Sequence, residues 1–142
     1  MKTLTQRYLP IFLALLVVVP LGFYSKFYRG PAAEWVNGSL GGVLYEIFWC
    51  LLIFLCFPRT EPLRIAGIVL AVTCLLEFLQ LWHPPFLEAL RGCFLGRALL
   101  GTTFAWLDFP HYLAGSLLGW LWVERLRRKF FGTFPARQPN VV

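Results

Sequence analysis

The stretch CLLEFLQLWHP, residues 74–84, places Glu77 and Gln80 one helical turn apart inside an otherwise apolar run. A carboxylate and an amide in such a run need an explanation, and composition sharpens the need. Of 142 residues, 58% are hydrophobic and 14% charged, and mean hydropathy is +0.67. Soluble domains average about 25% charged residues. This chain has too little polar side chain to cover a soluble globule, and its length allows one domain. It reads as an integral membrane protein.

Four apolar stretches lie around and beyond that run, at about 8–24, 40–57, 63–82 and 107–123. A spanning helix needs roughly 20 apolar residues. The expected fold is therefore all-α and polytopic: one membrane domain over residues 1–142 with four transmembrane helices. Pro10 suits a first turn, whereas Pro20 should kink or end the first helix. Lys2 and Arg7 resemble the basic start of a signal peptide. The following VVVPLGFYSKFY, residues 17–28, lacks a small-x-small cleavage site, so the segment reads as a retained helix.

The connections differ in character. PRTEP, residues 58–62, is a tight turn, which makes the second and third helices antiparallel neighbours. The first loop, residues 25–39, ends in Asn-Gly turn chemistry at Asn37-Gly38. Residues 83–108 are too apolar for an ordinary loop. They read as an interfacial or re-entrant helical segment, about 85–104, opened by Pro84-Pro85. Glu88 and Arg91 are spaced to pair on one helix face, and Gly92, Gly96 and Gly101 argue against a long regular helix.

Basic residues set the orientation. With four spans, one side holds Lys2, Arg7, Arg59, Arg64, Arg125, Arg127, Arg128, Lys129 and Arg137, nine of the 13 Lys and Arg. The other holds Lys26, Arg29, Arg91 and Arg97. Both termini are thus expected in the cytoplasm. The basic tail, residues 124–142, lies at the inner leaflet, and PARQPNVV at its end reads as disordered. Anionic headgroups attract such a tail by about 1 kcal/mol per basic residue. That accounts for the net charge of +6 with membrane lipids as partners and no nucleic acid.

The same topology collects polar residues at the outer side. Glu77 precedes the interfacial Trp82 by five residues, and Glu46 lies at similar depth on the inward-running second helix. Asp108 and His111 open the fourth. Glu46, Glu77, Gln80, Asp108 and His111 are expected in one layer beneath a loop carrying Arg91 and Arg97. An ionised group at mid-bilayer costs about 2.5–3.5 kcal/mol, so these groups should face one another or a wet cavity, with the arginines as available cations. Asp108, His111, Gly115, Gly119 and Trp122 form a stripe at i, i+3, i+4 spacing. Gly115 and Gly119 are read as helix-packing residues.

These residues carry a resemblance. EFLQ at 77–80, a loop bearing arginines, and DFPHYLAGSLLG at 108–119 look like the VanZ-like small bacterial membrane proteins. Those show Glu-x-x-Gln, a loop Arg, and Asp-x-x-x-Asn-x-x-Gly. Glu77, Gln80, Asp108, Gly115 and Gly119 match by position, and the Arg is Arg91 or Arg97. Tyr112 replaces the Asn. With LGRALLGTTFAWLD, residues 95–108, it is similar to an uncharacterised, domain-of-unknown-function branch of such proteins. The resemblance implies a bacterial cytoplasmic membrane protein of the cell envelope. It implies low-level glycopeptide (teicoplanin) resistance for the family's namesake, and no established biochemistry for the branch.

Other chemistry is sparse. Cys50, Cys56 and Cys74 lie in expected helices, where thiols act as small hydrophobes, and Cys93 lies in the outer loop. The spacing indicates neither a zinc nor a redox motif, and no metal or cofactor is expected. His83, beside Pro84, reads as a surface residue. No nucleophile-elbow, zinc-protease or phosphate-loop motif occurs.

Three functions fit. The first is binding of a polar or phosphate-bearing lipid headgroup, or a lipid-linked envelope intermediate, at the outer-leaflet face. Its candidate ligand residues are Glu46, Glu77, Gln80, Arg91, Arg97, Asp108, His111 and Tyr112. The second is a membrane-embedded hydrolase with Glu77 as base and His111 as acid, or a metal-dependent enzyme whose three carboxylates and His hold a divalent cation. The third is a small structural subunit of a larger membrane protein complex. The first is preferred.

Overall fold

The structure is a computed structural model that describes residues 3–132. The expectations for Lys2, Arg137 and the end of the tail lie outside those residues. All regular structure among the described residues is helical.

Helix α1, Leu4–Phe27, opens with a reciprocal cap. Thr3 Oγ1 accepts from the Gln6 backbone N–H at 3.3 Å, and Gln6 Oε1 accepts from the Thr3 N–H at 3.2 Å. Pro20 does not end this helix. Buried residues lie on both sides of it, Ile11, Ala14, Leu15 and Val18 before and Ser25 after, so packing carries the helix on past the missing hydrogen bond.

The expected Asn-Gly turn is also overturned. Helix α2, Ala33–Trp35, runs through a π-helical turn at Val36–Leu40 into α3, Gly41–Cys56. Asn37 is what reinforces the irregular turn. Its Nδ2 donates to the carbonyls of Tyr28 at 3.0 Å and Ala33 at 2.6 Å, so the side chain fastens the helix start to the end of α1. The reversal comes earlier, at Ala32, whose φ of 57° lies in the left-handed region.

Helix α4, Pro62–Leu79, starts on its proline and ends three residues before the expected boundary at Trp82. The segment read as interfacial or re-entrant, with glycines arguing against a long regular helix, forms two short helices, α5 at Pro85–Arg91 and α6 at Phe94–Leu100, parted at Gly92 and Cys93. Residues 101–107 then lead without regular helix into α7, Asp108–Leu126, which finishes in a π-helical turn at Arg127–Phe131.

The segments Leu4–Phe27, Ala33–Cys56 and Pro62–Leu79 are long and apolar enough to cross a membrane. Helix α7 carries Asp108, His111, Glu124 and Arg125 and is not among them. It packs in the same bundle nonetheless. Gly115 lies against Val43 and Glu46, and Gly119 against Ile47 and Cys50, so α7 runs parallel to α3.

The bundle is stratified. Ile11, Leu15, Val18, Leu51, Phe54, Ile65, Val69 and Val123 form a closed apolar core. At its lower end Phe131 meets Tyr8 and Phe54 edge-on, with ring centres 5.6 and 5.3 Å apart. Toward the other end the interior becomes polar, with Glu46, Thr73, Glu77, Gln80 and Ser116 all buried. Meanwhile Phe12, Leu13, Leu16, Val17, Leu75, Leu117 and Leu118 face outward. Buried polar groups under an apolar exterior suit a lipid surround. This is a membrane-type protein.

Candidate functional site

The polar end is built from facing stripes. Ile65, Val69, Thr73 and Glu77 follow one another at helical spacing on the buried side of α4, and Gly115, Ser116, Gly119 and Val123 do so on α7. Tyr112 sits one turn above Ser116 on that α7 stripe.

Glu77, 1% exposed, gathers three donors. Its Oε2 accepts from the Tyr112 hydroxyl at 2.8 Å and from Gln80 Nε2 at 3.0 Å. Its Oε1 accepts from the backbone N–H of Ala105 at 2.8 Å. One carboxylate therefore joins α4, α7 and the loop that closes the bundle. Tyr112, standing at the Asn position of the resembled pattern, supplies the cross-helix donor.

Glu46 occupies a separate tier. It is 0% exposed and accepts from the Ser116 hydroxyl, with the Thr73 hydroxyl alongside. Its Oε1 has no hydrogen-bond partner. Ser116 follows Tyr112 by four residues, about 6 Å along a helix. The single layer expected for Glu46 and Glu77 is thus two tiers one turn apart. The depth estimate counted from expected helix ends, and α3 continues upward into α2 while α4 stops short of Trp82.

Neither buried carboxylate has a cation. Among the described residues the ion pairs belong to Glu88 and Glu124. Arg91, expected as a counter-charge for the acids, is engaged elsewhere. It is 5% exposed, and it donates to the carbonyls of Leu79 and Trp82, both at 3.1 Å, and to Glu88 Oε1 at 2.8 Å. A guanidinium is a good partner for the orphan carbonyls and negative end of a finishing helix, so Arg91 pins α5 to the end of α4. Hydrogen bonds from His83 and Arg91 hold the exposed Glu88 carboxyl below its usual range.

His111 lies near enough to Asp108 to favour that carboxylate's charge but is turned elsewhere than Glu77. Its Nδ1 lies 2.7 Å from the Leu107 carbonyl and its ring stands edge-on to Trp35. It is not brought to Glu77 as an acid beside a base. Among the described residues no three His, Cys, Asp or Glu side chains converge as a ligand set for a metal.

What does converge is a cavity of about 520 Å³ between the helix ends and the loop above them. Glu77, Gln80, Asp108 and Tyr112 line it, with Lys26 and Arg97. Gly101 closes it over Gln80. Its φ is 68°, and a Cβ there would fall 2.4 Å from Gln80 Nε2, so only glycine permits this approach. The Tyr45 hydroxyl donates to the Leu99 carbonyl at 3.1 Å and ties α6 to α3 along one wall.

The charged groups of this cavity are not tightly paired. The Lys26 and Arg97 side chains make no hydrogen bond or ion pair among the described residues, and the Asp108 carboxylate makes no hydrogen bond, the nearby Lys26 and His111 being the groups that favour its charge. Lys26 lies across Gly41, with Nζ 3.6 Å from where a Cβ would be. Gln80 is 7% exposed, and its Oε1 has no partner.

Sequence reading did not single out Thr73, Ser116, Lys26 or the Ala105 N–H. Thr73 was findable, being one turn before Glu77 on the same face, and so was Ser116, one turn after Tyr112. Lys26 counted only as an orientation charge, because nothing along the chain shows that α1 ends over α3. The Ala105 contact depends on a loop path that spacing does not encode.

The chain matches a protein family described as "Protein of unknown function (DUF2809)" over residues 32–116, which is 85 of its 142 residues. The match runs from the start of α2 into α7 and includes Glu46, Glu77, Gln80, Asp108 and Tyr112. No solved structure matches the chain.

Proposed function

We propose, for a chain that belongs to the DUF2809 family of proteins of unknown function, that it crosses the membrane four times and binds a polar headgroup in its cavity. The bound group belongs to a lipid or a lipid-linked envelope intermediate. In this reading α7 is the fourth span, its polar residues turned to the bundle, and the membrane is the bacterial cytoplasmic membrane. Both termini are cytoplasmic, and α5, α6 and residues 101–107 lie at the outer interface. The excess of Lys and Arg at the opposite end supports the orientation. The likeness of the 77–119 region to VanZ-like proteins is in keeping with a cell-envelope setting.

One observation carries the binding reading: Gln80 holds a buried acceptor with no donor, beside a cavity whose charged groups Lys26, Arg97 and Asp108 make no hydrogen bond or salt bridge among the described residues. Buried polar atoms are normally satisfied. Groups left unsatisfied together beside open volume suit a partner that enters from outside, here from the outer leaflet.

Orientation and binding are tested separately. Cys93 is exposed, and it should react with an impermeant thiol reagent in intact cells; reaction only after permeabilisation would reverse the topology. For binding, native mass spectrometry of the protein released from mild detergent should show a retained phospholipid. A double Lys26→Ala, Arg97→Ala variant of unchanged helicity should lose it. Equal retention by both proteins would remove the cavity from lipid binding.

A further inference from the structure

We infer that Glu46 is a proton-binding site, a buried carboxyl that holds its proton as the neutral acid and takes it from the cavity past Thr73. This goes beyond the headgroup reading and does not depend on what else the cavity binds.

The two buried acids of the bundle are furnished in opposite ways. Glu77 Oε1 receives the Ala105 N–H, and its Oε2 receives the Gln80 amide beside the Tyr112 hydroxyl. Each oxygen of Glu77 thus faces a nitrogen that can only donate, which is the inventory of a carboxylate. Glu46 is fully buried; its Oε2 meets the Ser116 hydroxyl, and its Oε1 has no hydrogen-bond partner. A hydroxyl accepts as readily as it donates, so nothing against Glu46 requires an anion.

The Thr73 hydroxyl alongside argues for the acid. Its one hydrogen goes to the Val69 carbonyl at 2.9 Å, so what Thr73 offers to Glu46 is acceptor lone pairs. An ionised Glu46 would set its charge against those lone pairs. A protonated one brings the donor they lack.

No cation offsets a charge at this depth. The titratable groups near Glu46 are Tyr45 and Cys50 on its own helix, Cys74 and Glu77 on α4, and Tyr112 on α7. All of them are neutral or acidic. From α1 comes Lys26, which lies across Gly41, more than a helical turn before Glu46. Burial and a like charge both work against a second anion one turn below Glu77. Acids in such unlike surroundings divide into one charged and one neutral partner.

The proton also has a way in. Thr73 lines the cavity on one side and stands against Glu46 on the other. Its hydroxyl turns from the Val69 carbonyl and passes its proton to the Glu46 carboxylate. Thr73 Oγ1 then takes a proton from a hydronium ion in the cavity, leaving water. Only O–H bonds form and break, and Thr73 ends as it began.

The test is infrared spectroscopy of the full-length protein in detergent at about pH 8, well above the ordinary carboxylate range. There the carbonyl stretch of a protonated carboxyl stands apart from the bands of ionised ones. Of the seven Asp and Glu in the chain, Glu46 alone should give that band. It should vanish in Glu46→Gln and persist in Asp108→Asn, with thermal melts showing both variants folded. Ser116→Ala should shift the band, since the hydroxyl bound to the carboxyl is gone, and it serves where Glu46→Gln does not fold. In heavy water the band should move as O–H becomes O–D. That exchange should be at least about tenfold slower in Thr73→Val, which has no hydroxyl to pass a proton. A wild-type protein without the band overturns the inference, as does a band that survives Glu46→Gln, goes with Asp108→Asn or stays unmoved in Ser116→Ala. Equal exchange in Thr73→Val and wild type overturns the entry past Thr73.

Discussion

Replacing Glu77 with alanine is expected to lower the melting temperature of the detergent-solubilised protein by roughly 10 °C, the sum of several buried donors left open at about 1–3 kcal/mol each. The substitution strands Gln80 Nε2, the Ala105 N–H and the Tyr112 hydroxyl together, and it opens a void at the junction of α4, α7 and the closing loop. The Tyr112 hydroxyl can rotate toward other acceptors, but the Ala105 N–H is fixed in the backbone. Residues 101–107 should therefore loosen first, visible as faster amide exchange there than in α1. A melting temperature within a degree or two of wild type would show that Glu77 does not hold the bundle together.

Glu77→Gln separates holding from binding. An amide has one accepting oxygen, and its NH₂ only donates, so it cannot serve all three donors as they stand. Its oxygen can take the Ala105 N–H if its NH₂ turns to Gln80 and Tyr112. Gln80 can answer by flipping its own amide, and Tyr112 by accepting. The fold should survive with a modest loss of stability, within about 2 kcal/mol. The flip exchanges the two ends of the Gln80 amide beside the cavity, and one negative charge is gone. Lipid retention should then fall sharply in a well-folded protein. Retention at the wild-type level would mean that Glu77 and Gln80 serve only to join helices.

How much of this arrangement is legible along the chain follows from what fixes each part. Glu77, Gln80, Asp108 and Tyr112 are visible as polar residues at membrane depth, because the bilayer makes any such residue conspicuous. The packing role of Gly115 and Gly119 is visible from their spacing. Charge partners are not. Arg91 and Arg97 look equivalent in sequence, yet Arg91 is the last residue of α5, within reach of the carbonyls at the end of α4, while Arg97 lines the cavity. The choice is made by the break at Gly92 and Cys93, which aims two short helices differently. Pro20 and Asn37-Gly38 mislead for a related reason. Local turn and helix-breaking preferences are worth about 3 kcal/mol for a proline inside a helix, and the contacts of a long buried helix face outweigh them. The two tiers of acid depend on helix ends, which shift by a residue or two under such tertiary contacts.

Gly115→Ala should separate α7 from α3 and destabilise the protein by about 1–3 kcal/mol, the usual range for overpacking a tight core. A Cβ at Gly115 would lie 2.7 Å from Glu46 Cβ, 2.8 Å from the Val43 carbonyl oxygen and 2.9 Å from Val43 Cα. Two of those three atoms are backbone, so no rotamer change relieves the contact and the helices must move apart. The movement begins beside the Ser116–Glu46 hydrogen bond, one turn from the Glu77 cluster, so the cavity should loosen along with the core. At Gly119 the nearest atoms are Sγ and Cβ of Cys50, at 2.9 and 3.0 Å. The thiol can swing, and Gly119→Ala should cost less. Gly67 supplies the control, since a Cβ there meets nothing within 4 Å. Gly67→Ala should leave stability unchanged or raise it by up to about 1 kcal/mol through helix propensity. Melts of the three variants in one detergent should therefore rank Gly115→Ala below Gly119→Ala, with Gly67→Ala at or above wild type. A Gly115→Ala protein as stable as the Gly67→Ala control would mean that α3 and α7 do not meet at Gly115, and the placement of Tyr112 over Glu77 would fall with that contact.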